Sequence, residues 1–328
     1  MPGKFTLCLA VALVLAATPA GAQTAPPSAG AFASHWITLG TRGGPIADPD
    51  RSQPANALRV GDATYLVDVG DGAVEQLARA DVPLASVRAV LLSHLHFDHT
   101  AGLFAVLGLR WQTNVDAPLT VYGPPGTRML VDSLVAAMEP TTRSGYGMPG
   151  APARPAGAGI AVVEIRDGAH FDLGPTRVSA VKNTHYSFPP GSAEDRAFES
   201  LALRFDMPDR SIVYTGDTGP SAAVERLAQG ADLLVSEMID VDRTMADVRR
   251  TSPDADPQAT AGVEAHLRAH HLAPEDVGKL AAAAHVNAVV VTHFVAPRAD
   301  AGALLGFLAR IRDNFPGPVV IARDLESF

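Results

Sequence analysis

Short apolar runs recur along the chain, and amphipathic stretches separate them. Thr64–Val69 and Arg88–Leu92 are brief and mostly apolar, which predicts buried strands rather than helices. Thr127–Met138 repeats apolar residues at helical spacing, and Pro257–His270 and Pro274–Ala284 open with the proline typical of a helix start. Helices grouped between runs of strands predict an α/β fold in which helices cover two sheets.

The first 22 residues have the pattern of a secretory signal peptide. Lys4 precedes an apolar run at 5–17, and Ala-Gly-Ala at 20–22 provides a cleavage site, with the cut expected after Ala22. A membrane anchor is the alternative, but 13 residues are too few to span about 30 Å of hydrocarbon as a helix. We expect a periplasmic or secreted protein without a membrane segment, in which a flexible leader (23–33) precedes a single catalytic domain (34–328).

Composition and charge narrow the function classes. With 328 residues, 47% hydrophobic and 19% charged, the chain is typical of a globular protein. Its net charge of −9 argues against a general nucleic-acid binder, and 6% aromatic residues argue against a row of base-stacking side chains. The only cysteine of the sequence, Cys8, lies in the predicted signal peptide, so a thiolate metal site is not expected.

Four of the apolar runs end in His or Asp, residue types that bind metal ions. Strand ends are rigid and neighbouring strand ends lie close together, so they can hold a metal site with small geometric error. Taken alone, a histidine or a Gly-Asp pair at a strand end is usually a hydrogen-bonded side chain or a turn. Four such residues within 94–99 favour a metal site instead. The candidate ligands are His94, His96, Asp98, His99, His185, Asp217 and His293.

The type and number of these ligands narrow the metal chemistry. Imidazole and carboxylate without thiolate suit Zn²⁺, with Mn or Fe as alternatives. Seven ligands exceed the needs of one tetrahedral zinc, whereas two ions that share one carboxylate would use all seven. We therefore expect two divalent ions, with Zn²⁺ preferred.

The segment HLHFDHTAG at 94–102 resembles the signature of the metallo-β-lactamase superfamily, and the later ligands follow in that superfamily's order. The resemblance runs from about residue 36 to the C terminus and implies an αββα four-layer sandwich with a dinuclear site at one edge of the sheets. It implies that the first ion is held by His94, His96 and His185. It implies that the second is held by Asp98, His99 and His293. Asp217 would bridge both ions, and Asp68 in LVDVGDG would orient the site through hydrogen bonds.

Residues 270–293 resemble the ribonuclease Z and arylsulfatase-like branch, in which a histidine precedes the final ligand by 22 positions, as His271 precedes His293. The resemblance implies that His271 contacts the scissile group or acts as general acid. The alternative is that His270 and His271 only end a helix, where imidazole suits the helix dipole. His266 and His270, one helical turn apart, are a weaker candidate metal pair. The glycine-rich stretch LGTRGGP at 39–45 also fits this branch.

The implied reaction is hydrolysis by a metal-bridging hydroxide, because two divalent ions lower the pKa of a shared water and stabilise developing negative charge. Asp98 could accept a proton from the attacking water. The tRNA-processing members of this branch usually carry a long arm between the third and fourth ligand motifs. Here His185 and Asp217 are only 32 positions apart.

This departure, the acidic balance and the signal peptide favour a small ester as substrate: an aryl sulfate, a phosphodiester or a lactone. Nucleic acid is accordingly not expected as a partner. The alternatives are a ribonuclease Z-type phosphodiesterase on nucleic acid, an iron oxidoreductase, or a non-catalytic metal-binding protein on the same fold. The sequence leaves a homo-oligomer open. It also leaves open whether the loop 139–159, with Tyr146 and Met148, is a substrate lid or a surface excursion.

Overall fold

The structure, a computed structural model, describes residues 33–145, 147–148, 150 and 154–328. The predicted signal peptide and all but one residue of the predicted leader therefore lie outside the described residues, as does Tyr146 of the candidate lid. In the described ranges the strands are β1 (Ser34–Gly40), β2 (Ala55–Val60), β3 (Ala63–Val69), β4 (Val87–Leu91), β5 (Leu119–Gly123), β6 (Ile160–Glu164), β7 (His170–Leu173), β8 (Thr176–Lys182), β9 (Leu201–Asp206), β10 (Ser211–Tyr214), β11 (Leu233–Ile239), β12 (Val289–Val295), β13 (Val319–Ile321) and β14 (Glu326–Ser327).

The helices lie between these strands. They are α1 (Ala73–Arg79), α2 (Phe97–Thr100), α3 (Leu103–Gln112), α4 (Thr127–Ala137), α5 (Glu139–Ser144), α6 (Ala193–Ala197), α7 (Ala222–Leu227), α8 (Val241–Thr251), α9 (Pro257–His270), α10 (Pro274–Ala283) and α11 (Ala301–Arg312), with a 3₁₀ turn at Leu84–Ser86. None of these helices combines the length and the apolar character that crossing a bilayer would require.

The strands form two mixed sheets of seven strands each. Their orders are β14-β1-β2-β3-β4-β5-β6 and β13-β12-β11-β10-β9-β8-β7. In each sheet one half is parallel, β3 to β6 in the first and β10 to β13 in the second. β8 runs antiparallel to β9, and β9 runs antiparallel to β10, so β8 points the same way as β10. The carboxyl ends of β4, β8, β10 and β12 are therefore placed to carry a shared site.

The main core lies between the two sheets. Trp36 of β1 is fully buried there, with its ring centroid 6.0 Å from that of Phe205 and 5.8 Å from that of Tyr214. A second apolar cluster packs α1, α3 and α4 on the outer face of the first sheet, and a third packs α7, α10 and α11 on the outer face of the second. This arrangement confirms the predicted αββα four-layer sandwich.

The described end of the loop 139–159 does not approach the candidate ligands. Arg154 packs against α3, where its carbonyl oxygen accepts a hydrogen bond from Trp111 Nε1 at 3.1 Å. Gly159 pairs with Leu119, the first residue of β5, and so lies at the amino end of that strand. The candidate ligands follow the carboxyl ends of the strands, and residues 154–159 therefore give no support to a lid.

Candidate metal centre

The structure brings the seven candidate ligands together at one edge of the two sheets. β4 leads into 94–99, β8 leads into His185, β10 leads into Asp217, and His293 lies within β12. His96 is exposed, but the other six side chains are no more than 6% exposed. Their ligand atoms form groups within 4.8 Å of one another, namely His94, His96 and His185; Asp98, His99 and His293; and His94, His99 and Asp217.

The first group presents three imidazole nitrogens to a common point. His96 Nδ1 lies 3.1 Å from His94 Nε2 and 3.1 Å from His185 Nε2. Two nitrogens bound tetrahedrally to one zinc are roughly 3.3 Å apart, given Zn–N bonds of about 2.0–2.1 Å. Burial lowers the pKa of His94 well below its usual range and that of His185 to about 3. The rings are therefore neutral, which is the form that binds a metal ion.

The second group is organised around Asp98. Its Oδ2 lies 3.5 Å from His99 Nε2 and 3.6 Å from His293 Nε2. Burial by itself would raise the pKa of Asp98, but the two histidines outweigh this effect and lower the pKa to about 2. Asp98 is therefore ionised at neutral pH.

Asp217 lies between the two groups. Its Oδ1 is 3.3 Å from His99 Nε2, and its Oδ2 is 3.2 Å from His293 Nε2 and 3.8 Å from His185 Nε2. Desolvation would raise its pKa, but His293 and His99 hold that pKa well below its usual range. A single ionised carboxylate thus faces both sets of histidines.

Three atoms of this cluster lack a hydrogen-bond partner, namely His99 Nε2, Asp217 Oδ1 and His293 Nδ1, and the first two face the other candidate ligands. All three are buried, although each is polar. Leaving such an atom unsatisfied costs about 1–3 kcal/mol, so buried polar atoms normally have partners. Bound cations would supply partners for the first two of these atoms, and the donor set therefore fits divalent ions.

Asp68 holds the cluster from behind. The residue is fully buried and has φ of 55°, a left-handed conformation that Asp tolerates better than most residues. Its Oδ1 accepts a hydrogen bond from Ser93 N at 2.7 Å. Its Oδ2 accepts from Ser93 Oγ at 2.7 Å, from His99 Nδ1 at 2.8 Å and from Tyr214 Oη at 2.8 Å. The bond from Nδ1 fixes the His99 ring with Nε2 facing Asp98 and Asp217.

His271 adjoins the cluster rather than merely ending α9. Its ring centroid lies 4.9 Å from that of His185, and its side chain is 8% exposed. Nδ1 donates to Glu237 Oε2 at 2.8 Å. Burial would lower the pKa of His271, but the Glu237 carboxylate outweighs it and raises the pKa to about 9. His271 and Glu237 thus form a buried, hydrogen-bonded pair beside the candidate ligands, and His271 carries the proton of this pair at neutral pH.

Sequence reasoning missed Glu237. It lies in β11, in the apolar segment LLVSEMI, and is fully buried. Oε1 accepts a hydrogen bond from Thr218 N, next to Asp217, while Oε2 faces His271. A lone carboxylate in an otherwise apolar strand was the available signal, because an acid at such a position needs a buried partner.

In the weaker pair the ring centroids of His266 and His270 are 4.9 Å apart, but one ring nitrogen of His270 is bonded elsewhere. His270 Nδ1 donates to the carbonyl oxygen of Thr184. His266 groups with His185 and His271, with ligand atoms within 4.8 Å of one another. It therefore extends the wall of the site on the α9 side.

A cavity of about 310 Å³ opens beside the cluster, between the turn 42–46 and the helices α8 and α9. Its apolar lining includes Ile46, Ile239, Val248, Val263, Leu267 and Val295. His271 and five of the seven candidate ligands form one end of this cavity. A substrate group of moderate size can therefore rest on an apolar surface while its reactive bond meets the polar end.

The glycine-rich stretch predicted at 39–45 forms the turn over His293. A Cβ on Gly43 would lie 2.7 Å from His293 Nδ1 and 2.5 Å from Val295 Cγ2, so no side chain fits there. Gly44 N lies 3.4 Å from His293 Nε2. The backbone at His293 is itself left-handed, with φ of 39°. Such conformations persist where surrounding structure fixes them, commonly at functional sites.

Comparison with known proteins identifies relatives over most of the chain. A family described as the beta-lactamase superfamily domain matches residues 63–294. Ribonuclease Z of Mycobacterium marinum (strain ATCC BAA-535 / M) is 32% identical over 293 residues, which are 88% of this chain and 96% of that protein. Ribonuclease Z of Mycobacterium bovis (strain BCG / Pasteur 1173P2) is 31% identical over 293 residues, again 88% and 96%.

Solved structures share the fold. The metallo-beta-lactamase fold protein YhfI from Bacillus subtilis superposes with a TM-score of 0.62 at 20% identity, covering 90% of this chain and 98% of that one. The short form of human tRNase Z superposes with a TM-score of 0.59 at 20% identity, covering 90% and 98%.

Two expectations from the sequence are wrong in the light of these relatives. The first is the preference for a small-ester hydrolase, and the second is the exclusion of nucleic acid as a partner. Relatives that match nearly the full length of this chain are named Ribonuclease Z, which contradicts both. The acidic balance misled because a net charge of −9 averages over the surface and does not describe the site.

Proposed function

The chain belongs to the metallo-β-lactamase superfamily of hydrolases, in its ribonuclease Z branch, and from this premise we propose that it is a metal-dependent phosphodiesterase that cleaves RNA. The observation that carries the proposal is the 32% identity to a ribonuclease Z over 88% of this chain, combined with seven ligand-type side chains that meet at one edge of the sheets. His185 and Asp217 are only 32 positions apart, which leaves no room for a long arm, so we expect RNA to be gripped by other means.

We assign the first ion to His94, His96 and His185, and the second to Asp98, His99 and His293. Asp217 would contact both ions. When bound, two divalent ions make hydroxide available at neutral pH and neutralise charge that develops on the phosphate. Zn²⁺ is the metal that this set of imidazole and carboxylate ligands favours, and that choice is part of the proposal.

The chain's own residues then position water and move protons. Asp98 is ionised, since its pKa is about 2, so Oδ2 can accept a hydrogen bond from the attacking water and orient it. His271 donates from Nδ1 to Glu237, which leaves Nε2 free to give a proton to the departing sugar oxygen. The raised pKa keeps that proton in place at neutral pH.

The orientation of His271 depends on Glu237. Because Glu237 is fully buried and also accepts from Thr218 N, its carboxylate is fixed, and the imidazole that it binds is fixed with it. A general acid held in this way contributes about 10²–10⁴-fold to the rate. Glu237 is therefore a positioning residue that acts through His271.

The test is RNA cleavage by zinc-loaded protein. The substrate is an RNA stem that carries a single-stranded 3′ extension, and the product ends are mapped at nucleotide resolution. We expect one endonucleolytic cut, and we expect His271→Ala to lower kcat/KM by about 10²–10⁴-fold while both metals are retained. His170→Ala is the matched control, since His170 is exposed on β7 and bonded only to Ser179 in this part of the fold. Intact RNA under conditions in which bis-p-nitrophenyl phosphate is hydrolysed would reject the proposal.

A further inference from the structure

Three aromatic side chains form a row that leads away from the metal cluster. The ring centroids of Tyr186 and Phe188 are 5.5 Å apart, and those of Phe188 and Phe198 are 6.0 Å apart. These spacings put neighbouring rings in contact. Tyr186, Phe188 and Phe198 are called the aromatic row below.

The row begins at the ligands themselves. The Tyr186 ring lies 5.4 Å from the His96 ring and 5.6 Å from the His185 ring, centroid to centroid. Its hydroxyl oxygen accepts a hydrogen bond from Leu95 N at 3.4 Å. Leu95 stands between His94 and His96, so the first ring of the row is fixed relative to the atoms that hold the first ion.

The row ends at the surface. Tyr186 and Phe188 are partly exposed, and Phe198 is 42% exposed. Large apolar rings usually bury themselves, and a connected set of partly exposed rings beside a reactive centre is a surface on which a ligand can rest.

Local bonds hold the segment that carries the row. Ser192 caps α6 by accepting from Asp195 N at 3.0 Å, and Lys182 pairs with Asp195. Arg166 Nη1 binds Glu199 Oε1 at 2.6 Å, one residue beyond Phe198. The chain turns back at 189–192, and this turn brings Phe198 next to Phe188. These hydrogen bonds and ion pairs therefore hold the three rings of the aromatic row in fixed relative positions.

Charge around the row gives no strong attraction for phosphate. Lys182 and Arg166 are each paired with a carboxylate, and the exposed Arg196 of α6 donates to the carbonyl oxygen of Gly191, so few cations beside the row are free. Counterion release, which dominates binding by basic proteins, is therefore a small term here. Base stacking is the other general source of affinity for single-stranded nucleic acid, and it tolerates any base because every base has a π-face.

We propose that the aromatic row binds unpaired bases of a single-stranded RNA segment that flanks the scissile bond. The inference rests on the proposed function, since it names the form of RNA that reaches the site. It also departs from the expectation drawn from composition, because even with 6% aromatic residues three of them form a row that starts at the cluster.

The test measures competition and does not require RNA cleavage. Zinc-loaded protein is assayed for hydrolysis of bis-p-nitrophenyl phosphate, and a six-nucleotide oligoadenylate is added as inhibitor. An abasic oligomer of the same length, with sugars and phosphates but no bases, is the matched probe. We compare Phe188→Ala, Phe198→Ala, Phe188→Leu and Phe198→Leu with Phe104→Ala, whose ring is 43% exposed on α3 and outside the row.

We expect each Phe→Ala change in the row to raise the Ki of oligoadenylate by about five-fold or more, the lower end of the effect of one base–aromatic stack. The KM for bis-p-nitrophenyl phosphate serves as the reference for each variant. Leu should not restore binding, because stacking needs a flat ring. The abasic oligomer should inhibit weakly and alike in all variants, and Phe104→Ala should match wild type.

Equal effects on both oligomers, restoration by Leu, or an unchanged Ki would overturn the aromatic row as a base-binding surface. A steep loss of affinity with salt, together with an unchanged Ki in the Phe variants, would overturn it in favour of phosphate contacts. If RNA is not cleaved but the expected Ki pattern appears, the proposed reaction is wrong and the row still stands.

Discussion

Asp68→Asn tests how the cluster is held in place. Asn has nearly the shape of Asp and also tolerates the left-handed backbone found at this position, where φ is 55°. The substitution therefore changes charge and hydrogen bonding without adding backbone strain. Any change in metal binding then reports on the carboxylate.

The size of the effect follows from the four bonds that Asp68 accepts. Oδ2 accepts three of them and Oδ1 accepts one, so the amide nitrogen of the substituted side chain would take the Oδ1 position and face Ser93 N. There a donor meets a donor, which costs about 1–3 kcal/mol in a buried site. The three remaining bonds lose their charge-assisted character, which makes such bonds about twice as strong as neutral ones. We expect a total loss of about 3–5 kcal/mol of folding stability, as for other broken buried pairs.

The loss should fall on one ion more than the other. His99 Nδ1 is bonded directly to Asp68, whereas the first group reaches Asp68 only through Ser93 Oγ, which contacts His94 Nδ1, so the ion assigned to His99 should weaken by about 10–100-fold. Chelator competition with metal counted per chain separates the two ions, and denaturant unfolding gives the stability. Tyr214→Phe removes one of the four donors and should produce a smaller loss, about 1.5 kcal/mol. If Asp68→Asn bound each of the two ions as tightly as wild type does, this account of the cluster would be refuted.

Three further predictions concern other parts of the structure. Glu237→Gln should lower kcat on RNA by about 100-fold with both metals retained, because His271 loses its charged partner. Single-turnover kinetics together with metal analysis measures both quantities. Loss of a metal ion would count against a role of Glu237 through His271. Gly43→Ala should weaken the ion assigned to His293, since the added Cβ would lie 2.7 Å from His293 Nδ1; unchanged affinity in chelator competition would contradict it. We also propose that the chain is exported, so Edman sequencing of the secreted protein should begin at Gln23, and an intact N terminus would exclude that cleavage.

The fold and the convergence of the candidate ligands were accessible from sequence because both depend on local patterns. Pro257–His270 is a helix with the predicted limits, since proline marks its start and Asp256 caps it. The candidate ligands follow short apolar runs, and parallel strands bring such ends together. Where the pattern was weaker, elements were missed. α8 (Val241–Thr251) is mostly polar and buries only Val241 and Met245. Its sequence therefore shows few apolar residues at helical spacing, which is the pattern that predicts a helix.

The features on which the two proposals rest were not accessible in the same way. Glu237 and His271 are 34 positions apart, and no sequence pattern around either residue predicts that the two side chains are in contact. The aromatic row depends on a turn that returns Phe198 to Phe188, which no periodic pattern encodes. Global composition gave the wrong partner class, because net charge and aromatic fraction do not report how side chains are placed around a site.

The central claim is that one dinuclear centre in this chain cleaves RNA. Reconstitution of metal-free protein with increasing zinc, with RNA cleavage measured at each ratio of metal to chain, tests it most directly. We predict little cleavage up to one ion per chain and full activity at two, since Asp217 lies between the two ligand groups and faces both. Full activity with a single ion, or intact RNA with two ions bound, would contradict the account.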